Sequence, residues 1–371
     1  MKTTKNTDTI GIDLGDNSHE TCTLNKDGAI TATTTLLNCR PELEAFSIEN
    51  KGATIILEAG THSPWISRLF EELGHKVIVA NPRKLSAIYK SDNKTDERDA
   101  EMLARMGRFD PKLLHAIQHS SLKHQRDRKV IDTREALVDA RTNLINYVRS
   151  SLKSFGIFLP KGTSTASFAK KAREHLAEEN YALFASVIET VSDLTERIKA
   201  ADKAIDALIE HSYPEALKLQ QVDGVGPITS LTFVLTIGSP DRFEKARDVG
   251  PFLGLVPKRD QSGESDKALR ITKAGDKQLR RLLVSCAQYA LSDKGPDCAL
   301  KRSGLKRAKS GGKTDKKKAV VKTARKIAVL LLAIWKDERG KYLRFPHQAD
   351  DEAAEEKAAC YVSLCQERRS C

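Results

Sequence analysis

The sequence predicts an N-terminal α/β domain followed by two mainly helical domains. Short apolar runs alternate with amphipathic segments over residues 1–112, whereas residues 113–219 contain no strand signal. Within this second region, apolar residues recur at alternating steps of three and four, which is typical of a coiled coil. At 371 residues, the chain is long enough for two or more domains.

Residues 1–112 are predicted to form a ribonuclease-H-like domain. Strands are predicted for five apolar runs, at residues 9–15, 19–24, 29–37, 53–59 and 76–80. Asp27-Gly28 lies between the second and third runs and is a strong hairpin signal. Three antiparallel strands followed by alternating helices and strands is the element order of a ribonuclease-H-like α/β domain.

Two helices are predicted within this domain. The first has Ser63 as its N-cap and Pro64 as its first helical residue, and it ends at Gly74. The second spans Glu97 to Met106, because this segment is rich in Ala, Leu, Met and Glu, which are strong helix formers.

Residues 113–218 are predicted to form an antiparallel helical hairpin or coiled coil. A first helix spans roughly Leu122 to Phe155 and ends at the break F-G-I-F-L-P-K-G. A heptad seam then runs through Phe184, Val187, Val191, Leu194, Ile198, Ala201, Ile205 and Leu208. The pattern fits a spacer between domains and also fits a dimerisation arm.

Residues 219–346 are predicted to form a mainly helical domain with a helix-hairpin-helix motif. Two apolar helical segments within residues 219–238 flank the sequence G-V-G-P, which contains Gly224 and Gly226. Glycines at such a turn let backbone amides approach a phosphate at a helix N-terminus.

Positive charge is concentrated in one stretch of this domain. The chain has 62 Lys+Arg and 50 Asp+Glu residues, which gives a formal net charge of +12. Residues 301–326 hold twelve of the basic residues and one acidic residue, so almost all of the excess lies there. Such a stretch favours a polyanionic partner such as nucleic acid.

The cysteine pattern and the apolar runs favour a cytoplasmic protein. The seven Cys are scattered without a C-x-x-C pair, which indicates reduced thiols and no zinc site. The sequence opens without an apolar signal segment, and the run at 327–335 is too short to span a bilayer, so that run is predicted to be a core helix. The acidic, Cys-containing tail at 347–371 has no core pattern and is expected to be flexible. We expect no membrane association.

Four acidic residues are candidates for a metal site. Asp13 lies within the apolar run I-G-I-D-L-G, where a charge requires a partner or a metal ion. Glu58 ends the run I-I-L-E-A, and a helix starting near residue 97 projects Asp96 and Asp99 from one face. Clustered carboxylates repel one another unless cations neutralise them, and such oxygen ligands suit Mg²⁺ or Mn²⁺. The alternative is unrelated surface acids, with Asp96 and Asp99 complementing a helix dipole.

The ordered motifs resemble a known enzyme family. G-I-D-L-G, L-E-A-G-T-H and N-K-T-D-E-R-D-A look like the four-acid signature of the DEDD transposases of the insertion-sequence family typified by element one-hundred-and-ten. G-V-G-P-I-T-S, L-G-L-V-P-K-R-D-Q-S-G and I-T-K-A-G-D-K-Q-L-R-R-L-L resemble that family's C-terminal transposase domain. The resemblance covers about residues 8–340 and departs from the family pattern at Glu264 and in the tail.

The resemblance implies a site-specific DNA recombinase with a RuvC-like nuclease domain. The four acids match the family's metal-binding carboxylates, so Mg²⁺ or Mn²⁺ is the implied cofactor. Ser262, in Q-S-G, matches a serine that the family is understood to use as a nucleophile, which forms a phosphoserine link to DNA. Ser265 is the main competitor for this role and lies outside the Q-S-G match.

The resemblance also implies partners: double-stranded DNA at element ends and target, and a structured guide RNA. We further expect a homo-oligomer, a dimer or tetramer, associated with a prokaryotic nucleoid. The candidate nucleic-acid contacts are two glycines and ten basic residues: Gly224, Gly226, Lys258, Arg259, Arg270, Lys273, Lys277, Arg280, Arg281, Lys316, Lys317 and Lys318. Phosphate contacts carry no sequence information, so RNA and DNA fit them equally. An aromatic content of 5% argues against recognition of many stacked bases.

Two other functions fit the same residues. A metal-dependent, junction-resolving nuclease uses the four acids with water and needs no serine. The other is a non-enzymatic DNA-binding protein that has the helix-hairpin-helix and a degenerate acidic site. All four acids are present in the sequence, which argues against degeneration. A protein-DNA adduct distinguishes the recombinase from the nuclease.

Overall fold

The computed structural model describes residues 8–88, 95–262, 265–308 and 312–337. Contacts divide the chain into two compact units, Met1–Ser120 and Ser121–Cys371. The domain boundaries predicted after residues 112, 218 and 346 stay predictions. The tail at 347–371 lies outside the described residues.

The first unit contains a five-stranded mixed sheet. Its strands are β1 Thr9–Leu14, β2 Ser18–Leu24, β3 Ile30–Leu37, β4 Thr54–Glu58 and β5 Lys76–Ala80. The order across the sheet is β3-β2-β1-β4-β5, with β2 antiparallel to both neighbours and β4 parallel to β1 and β5. The five predicted strands are confirmed, and the mixed sheet with its helices is consistent with a ribonuclease-H-like fold.

Four α-helices belong to the described part of this unit: α1 Arg40–Glu49, α2 Ser63–Glu72, α3 Pro82–Ile88 and α4 Asp96–Phe109. α1 is absent from the sequence prediction because charged residues are spread through it. It nevertheless buries Leu43 and Phe46 in the core. α4 contains the predicted helix Glu97 to Met106 and extends it at both ends.

The start of α2 differs from the prediction. Ser63 is the first residue of α2 rather than its N-cap, and His62 takes the N-cap position without a side-chain hydrogen bond. The Ser63 hydroxyl instead donates to the Gly60 carbonyl (2.9 Å) and accepts from the Gly60 amide (3.0 Å). A serine hydroxyl can bond to nearby backbone in this way instead of capping the helix. α2 ends at Glu72, and Gly74 follows with a φ of +91°, as predicted.

Helices pack on both faces of the sheet. On one face, Ile12 packs in a cluster with Phe46 of α1 and Phe70 of α2. On the other face, Ile56 packs with Leu103 of α4. Because side chains alternate along a strand, one set of strand residues contacts α1 and α2 and the other set contacts α4.

The described residues of the second unit form nine α-helices and one hairpin. The helices are α5 Leu122–Ser154, α6 Phe168–His175, α7 Glu178–Ser212, α8 Pro214–Leu219, α9 Pro227–Ile237, α10 Val249–Phe252, α11 Lys277–Leu291, α12 Ala299–Ala308 and α13 Lys313–Lys336. The hairpin strands are β6 Pro257–Ser262 and β7 Ser265–Ile271. The long helix predicted to start at Leu122 is therefore confirmed as α5.

The buried seam of α7, which packs along α5, is shifted from the predicted one. Phe184, Val191, Ile198 and Ile205 are buried as predicted. The other buried positions are Ile188, Thr195 and Ile209, whereas the predicted Val187, Leu194, Ala201 and Leu208 are only partly buried. The predicted and the observed seam have every seventh residue in common. The packing of α5 and α6 against α7 determines which of the positions in between are buried. The coiled-coil geometry stays a prediction.

An apolar core connects the C-terminal helices of the second unit. Ile327 and Leu331 of α13 are fully buried in it, so the apolar run at 327–335 is a core helix as predicted. Of the two helical segments predicted within 219–238, the second is α9, whereas residues 220–224 form a turn and the preceding helix, α8, ends at Leu219. The helix-hairpin-helix motif stays a prediction. None of the helices in the described residues carries an apolar stretch long enough to cross a membrane.

Candidate active site and nucleic-acid interface

Asp13 and Glu58 lie on the same face of the sheet. Gly11 of β1 and Ile56 of β4 both contact α4. Side chains two residues apart in a strand point to the same face, so Asp13 and Glu58 face the side that α4 covers. Both residues are partly buried and lie at the carboxyl ends of two neighbouring parallel strands.

The first turn of α4 lies at the same end of the sheet. Arg108, near the end of α4, lies beside Gly28, in the turn after β2. Because β2 is antiparallel to β1, Gly28 is at the amino end of β1. The start of α4 is therefore at the carboxyl end of β1 and β4.

Asp96 and Asp99 continue the sheet-facing side of α4. Asp96 precedes Ala100 by four residues, and Asp99 precedes Leu103 by four. Ala100 and Leu103 are buried against the sheet, and residues four apart on a helix lie one above the other. Asp96 is exposed and Asp99 is partly buried, so the acids occupy the rim of the α4–sheet contact.

The contact between α4 and β1 depends on glycine. A Cβ on Gly11 would lie 2.0 Å from the Ala100 carbonyl oxygen and 2.6 Å from the Ala104 amide nitrogen. In the same way, a Cβ on Gly107 would lie 2.5 Å from a side-chain carbon of Ile56. Two missing side chains, one on each element, thus let α4 lie directly on the sheet.

The four predicted acids supply only carboxylate oxygens, which are the ligands that Mg²⁺ and Mn²⁺ prefer. Across the described residues, no three His, Cys, Asp or Glu side chains lie close enough together to hold a metal ion. The acids therefore fit a hard divalent cation in chemistry and in position on the sheet, while their present separations do not form a ligand cage.

Two histidines that the sequence analysis does not single out form polar contacts in the first unit. His62 Nε2 lies 3.0 Å from Asp16 Oδ1, and His119 Nε2 lies 2.9 Å from Ser63 Oγ. Burial and, secondly, the positive charge of Arg68 lower the pKa of His119, which favours its neutral form. The motif L-E-A-G-T-H is a sequence signal for His62, whereas no motif surrounds His119.

Ser262 ends strand β6 at the tip of the hairpin, where its Cα pairs with that of Ser265. Their side chains, and Glu264, lie outside the described residues. Neither serine is therefore distinguished from the other by contacts, and the assignment of Ser262 as nucleophile stays a prediction.

The base of this hairpin is held by backbone contacts. The Thr272 amide donates to the Val256 carbonyl (2.9 Å), and the Lys273 amide donates to the Gly254 carbonyl (3.2 Å). A Cβ on Gly254 would lie 2.2 Å from the Ala274 amide nitrogen. Gly254 has a φ of +68°, a conformation that glycine adopts readily.

Arg280 binds the backbone at the hairpin base. Its Nη1 donates to the carbonyls of Ala274 (2.6 Å) and Leu253 (3.1 Å), one on each side of the hairpin. The same Nη1 also donates to the Asp276 carbonyl (3.3 Å). The guanidinium therefore stabilises the base of the hairpin, although Arg280 is among the predicted phosphate contacts.

A second arginine connects α5 to the segment after the hairpin. Arg128 Nη1 donates to Thr236 Oγ1 (2.8 Å), and its Nη2 donates to Asp276 Oδ2 (3.0 Å). Asp276 also caps α11 by accepting from the Leu279 amide (2.6 Å). These bonds fix the start of α11, which directly follows the hairpin segment.

Most of the predicted basic contacts are exposed. The exposed residues are Lys258, Arg259, Arg270, Lys273, Lys277, Lys316, Lys317 and Lys318. Arg281 is also exposed and forms an ion pair with Glu135. Their exposure is compatible with phosphate contacts, and their role as nucleic-acid contacts stays a prediction.

Gly224 and Gly226 lie in the turn between α8 and α9. Gly224 has a φ of +83°, and a Cβ there would lie 2.8 Å from a ring carbon of Tyr289. Gly226 is the N-cap of α9, and a Cβ there meets no atom within 4 Å. The open space at Gly226 leaves the N-terminus of α9 accessible, as a phosphate contact requires.

Family profiles match both halves of the chain. A DEDD-type transposase profile of the IS110 group matches residues 10–157, which include all four acids. A second profile, described as the transposase IS116/IS110/IS902 family, matches residues 216–301, which include the hairpin with Ser262. Together the two profiles account for more than half of the chain.

Curated relatives are similar over most of their length. The transposase for insertion sequence element IS1111A of Coxiella burnetii is 25% identical, over 76% of this chain and 77% of its own. The transposase for element IS1328 of Yersinia enterocolitica is 28% identical, over 75% of this chain and 82% of its own. A pilin gene-inverting protein of Moraxella bovis is 25% identical over 89% of this chain and 96% of its own. The chain belongs to the IS110-type DEDD transposase family, whose members are enzymes that catalyse DNA strand transfer.

Proposed function

We propose that this transposase cuts and rejoins DNA with a four-carboxylate metal site and a serine nucleophile, Ser262. The observation that carries the first part is the position of the acids. Asp13 and Glu58 face α4 at the carboxyl ends of β1 and β4, and the first turn of α4 presents Asp96 and Asp99 at that end. This arrangement supports one shared site.

The four carboxylates would hold Mg²⁺ or Mn²⁺, and the bound ions would supply positive charge to the phosphodiester during cleavage. Ser262 attacks the phosphorus: a bond forms between its oxygen and phosphorus, the bond to the leaving sugar oxygen breaks, and the proton lost by the serine hydroxyl is balanced by the proton that the leaving oxygen gains as it becomes a free hydroxyl. The energy of the phosphodiester stays in the protein-DNA bond, so rejoining needs no ATP. The sequence accordingly lacks a G-x-x-x-x-G-K-[ST] segment.

Double-stranded DNA and a structured guide RNA are the proposed partners. The exposed lysines of α13 and the open N-terminus of α9 support phosphate binding. The guide RNA rests on the family resemblance. Assembly into a dimer or tetramer, in which Ser262 of one chain acts with the acids of another, also rests on the family resemblance.

Denaturing electrophoresis of labelled DNA tests the proposal. The unmodified chain and Ser265→Ala are expected to form a covalent adduct with DNA, whereas Ser262→Ala forms none. An adduct that persists in Ser262→Ala but is absent in Ser265→Ala moves the nucleophile to Ser265. Cleavage without any adduct in the unmodified chain supports instead a nuclease that uses water, the second candidate function.

A shared site has its own test. Mixing Ser262→Ala with Asp13→Asn chains restores part of the strand exchange if the acids and the serine come from different protomers, because some composite sites then contain both intact parts. Each variant alone is inactive and serves as the control. No restored activity at any mixing ratio argues for a site within one chain.

A further inference from the structure

A cavity at the C-terminal end of α5 lies outside the predicted nucleic-acid interface. It has a volume of about 310 Å³ and lies between the last turns of α5 and the loop at 157–163. Its lining includes Arg149 and Lys153 from α5 and Phe158 from the loop. Ligand cavities have volumes of roughly 300 to 1,000 Å³, so this one has room for a group the size of one nucleotide.

The sequence around the cavity is strongly basic. From Arg141 to Arg173 it contains seven Lys or Arg residues and no Asp or Glu. The next acidic residue is Glu174, whose Oε1 lies 3.8 Å from Nζ of Lys170 on α6. A stretch with no acidic residue attracts phosphate groups over a distance of about one Debye length.

Arg149 is held in a defined position at the cavity. Its Nη2 donates to the Thr163 carbonyl (2.7 Å), and its guanidinium lies 5.5 Å from the ring centroid of Phe168. Phe168 is fully buried, so this side of the arginine is anchored in the core. Lys153 follows four residues later, on the same side of α5, and its side chain is exposed. One fixed and one adaptable cation thus border the cavity.

Phe158 supplies an aromatic ring beside these cations. Its side chain is 74% exposed, and Phe155 nearby in sequence is 55% exposed. Exposure of aromatic rings to water is unfavourable, and a nucleobase stacked on the ring removes that exposure. Bases inside a duplex are already stacked on one another, so an exposed ring next to phosphate-binding groups favours an unpaired base.

We propose that this cavity binds an unpaired nucleotide of single-stranded DNA, with Arg149 and Lys153 at its phosphates and Phe158 stacked on its base. DNA is the occupant because the chain belongs to a family of enzymes that act on DNA. The site is independent of the acids and of Ser262, so it does not rest on the proposed mechanism.

Binding of the full chain to a fluorescein-labelled single-stranded oligothymidylate, followed by fluorescence anisotropy at several salt concentrations, tests this site. Phe158→Ala is expected to weaken binding about tenfold, the usual effect of losing one stacked base. Lys153→Gln is expected to flatten the slope of log K against log salt by about 0.7, the value for one phosphate contact to a single strand. Phe109→Ala is the matched control, because Phe109 is 86% exposed and belongs to the first unit.

Cross-linking locates the contact directly. A strand that carries 5-iododeoxyuridine is expected to cross-link to Phe158 upon irradiation, as read by mass spectrometry of the peptides. Duplex DNA of the same sequence is expected to bind Phe158→Ala and the unmodified chain equally. Thermal melting of Phe158→Ala is expected to match that of the unmodified chain, and Lys153→Gln provides an independent readout if it does not.

Several outcomes overturn the proposal. Equal weakening of duplex binding makes the site a general basic contact, and weakening confined to an RNA strand of the same length assigns it to RNA. A change in sedimentation mass on Phe158→Ala assigns the exposed rings to contact between copies of this chain. Unchanged affinity together with cross-links only to other segments removes the site altogether.

Discussion

The backbone of Gly11 in β1 lies directly against the backbone of Ala100 in α4. A Cβ at residue 11 would lie 2.0 Å from the Ala100 carbonyl oxygen, far inside a van der Waals contact. Backbone atoms cannot rotate away as side-chain atoms do, so α4 must shift to accommodate any larger residue. This contact sets the distance between the first turn of α4 and β1, and hence between Asp99 and Asp13.

Gly11→Ala is therefore expected to reduce both stability and cleavage. Overpacking of this kind costs about 3 kcal/mol of the free energy of unfolding, measured by urea denaturation. Displacement of α4 separates its acids from Asp13, so metal-dependent cleavage falls more than DNA affinity does. Gly60→Ala is the control, since a Cβ at Gly60 meets no atom within 4 Å. Unchanged stability and cleavage in Gly11→Ala would contradict the described packing of α4.

The four acids are expected to act together. Strand cleavage at ordinary Mg²⁺ concentration is lost, with unchanged thermal melting, in each of four variants: Asp13→Asn, Glu58→Gln, Asp96→Asn and Asp99→Asn. Removing divalent ions with EDTA gives the same loss in the unmodified chain, and Mn²⁺ restores cleavage.

Glu20→Gln is the matched control for this set. Glu20 pairs with Asp13 across β1 and β2, and its carboxylate accepts a hydrogen bond from Thr35 (2.9 Å). Cleavage by Glu20→Gln is expected to match that of the unmodified chain. Full recombination by Asp13→Asn would contradict the metal-site proposal.

Arg280 is expected to position the hairpin rather than bind DNA. Arg280→Ala removes the bonds to the Ala274 and Leu253 carbonyls, so adduct formation falls while DNA affinity and its salt dependence stay the same. Arg281→Ala, the neighbouring exposed arginine, is the comparison and is expected to lower affinity slightly. A reduced salt slope in Arg280→Ala would make this residue a phosphate contact after all.

The lysines at the start of α13 are expected to supply affinity without sequence preference. Lys316, Lys317 and Lys318 are exposed, and replacing all three by Gln should weaken binding to every duplex tested. The slope of log K against log salt should flatten by about 0.9 for each lost contact. Altered site preference with an unchanged slope would disagree with this role.

Tyr213 is expected to make the stability of the second unit sensitive to alkaline pH. Burial, and then the hydrogen bond from its hydroxyl to Asp127 Oδ2 (2.6 Å), raise the pKa of Tyr213 to about 12. The unfolded value is about 10, so the folded state holds the proton more tightly. The resulting stability is fully present below about pH 10 and is lost as the pH rises toward 12.

Urea unfolding at pH 8 and pH 11 measures this effect. The unmodified chain is expected to lose about 1 to 2 kcal/mol more than Tyr213→Phe between the two pH values. Tyr147→Phe is the control, because Tyr147 is 56% exposed. Equal losses in the unmodified chain and Tyr213→Phe would show that this phenol does not couple to folding.

Local patterns account for the elements that the sequence predicts correctly. The five strands and α5 follow from alternation and helical periodicity, which depend only on neighbouring residues. Asp13 and Glu58 stand out because a charge in a buried strand is costly. Ser262 stands out only through the ordered motifs around it. α1 has no comparable pattern, since it packs only through Leu43, Phe46 and Ser47.

The sequence by itself determined the five strands of the first unit and the long helix α5, and it named the candidate residues for binding metal ions, phosphate and DNA. Only the tertiary structure decided that α4 runs back along β1, that Ile188 rather than Val187 of α7 is buried, and that Arg280 binds backbone carbonyls. The reason is that periodicity belongs to adjacent residues, whereas a close backbone approach such as that of Gly11 and Ala100 arises between segments far apart in the chain.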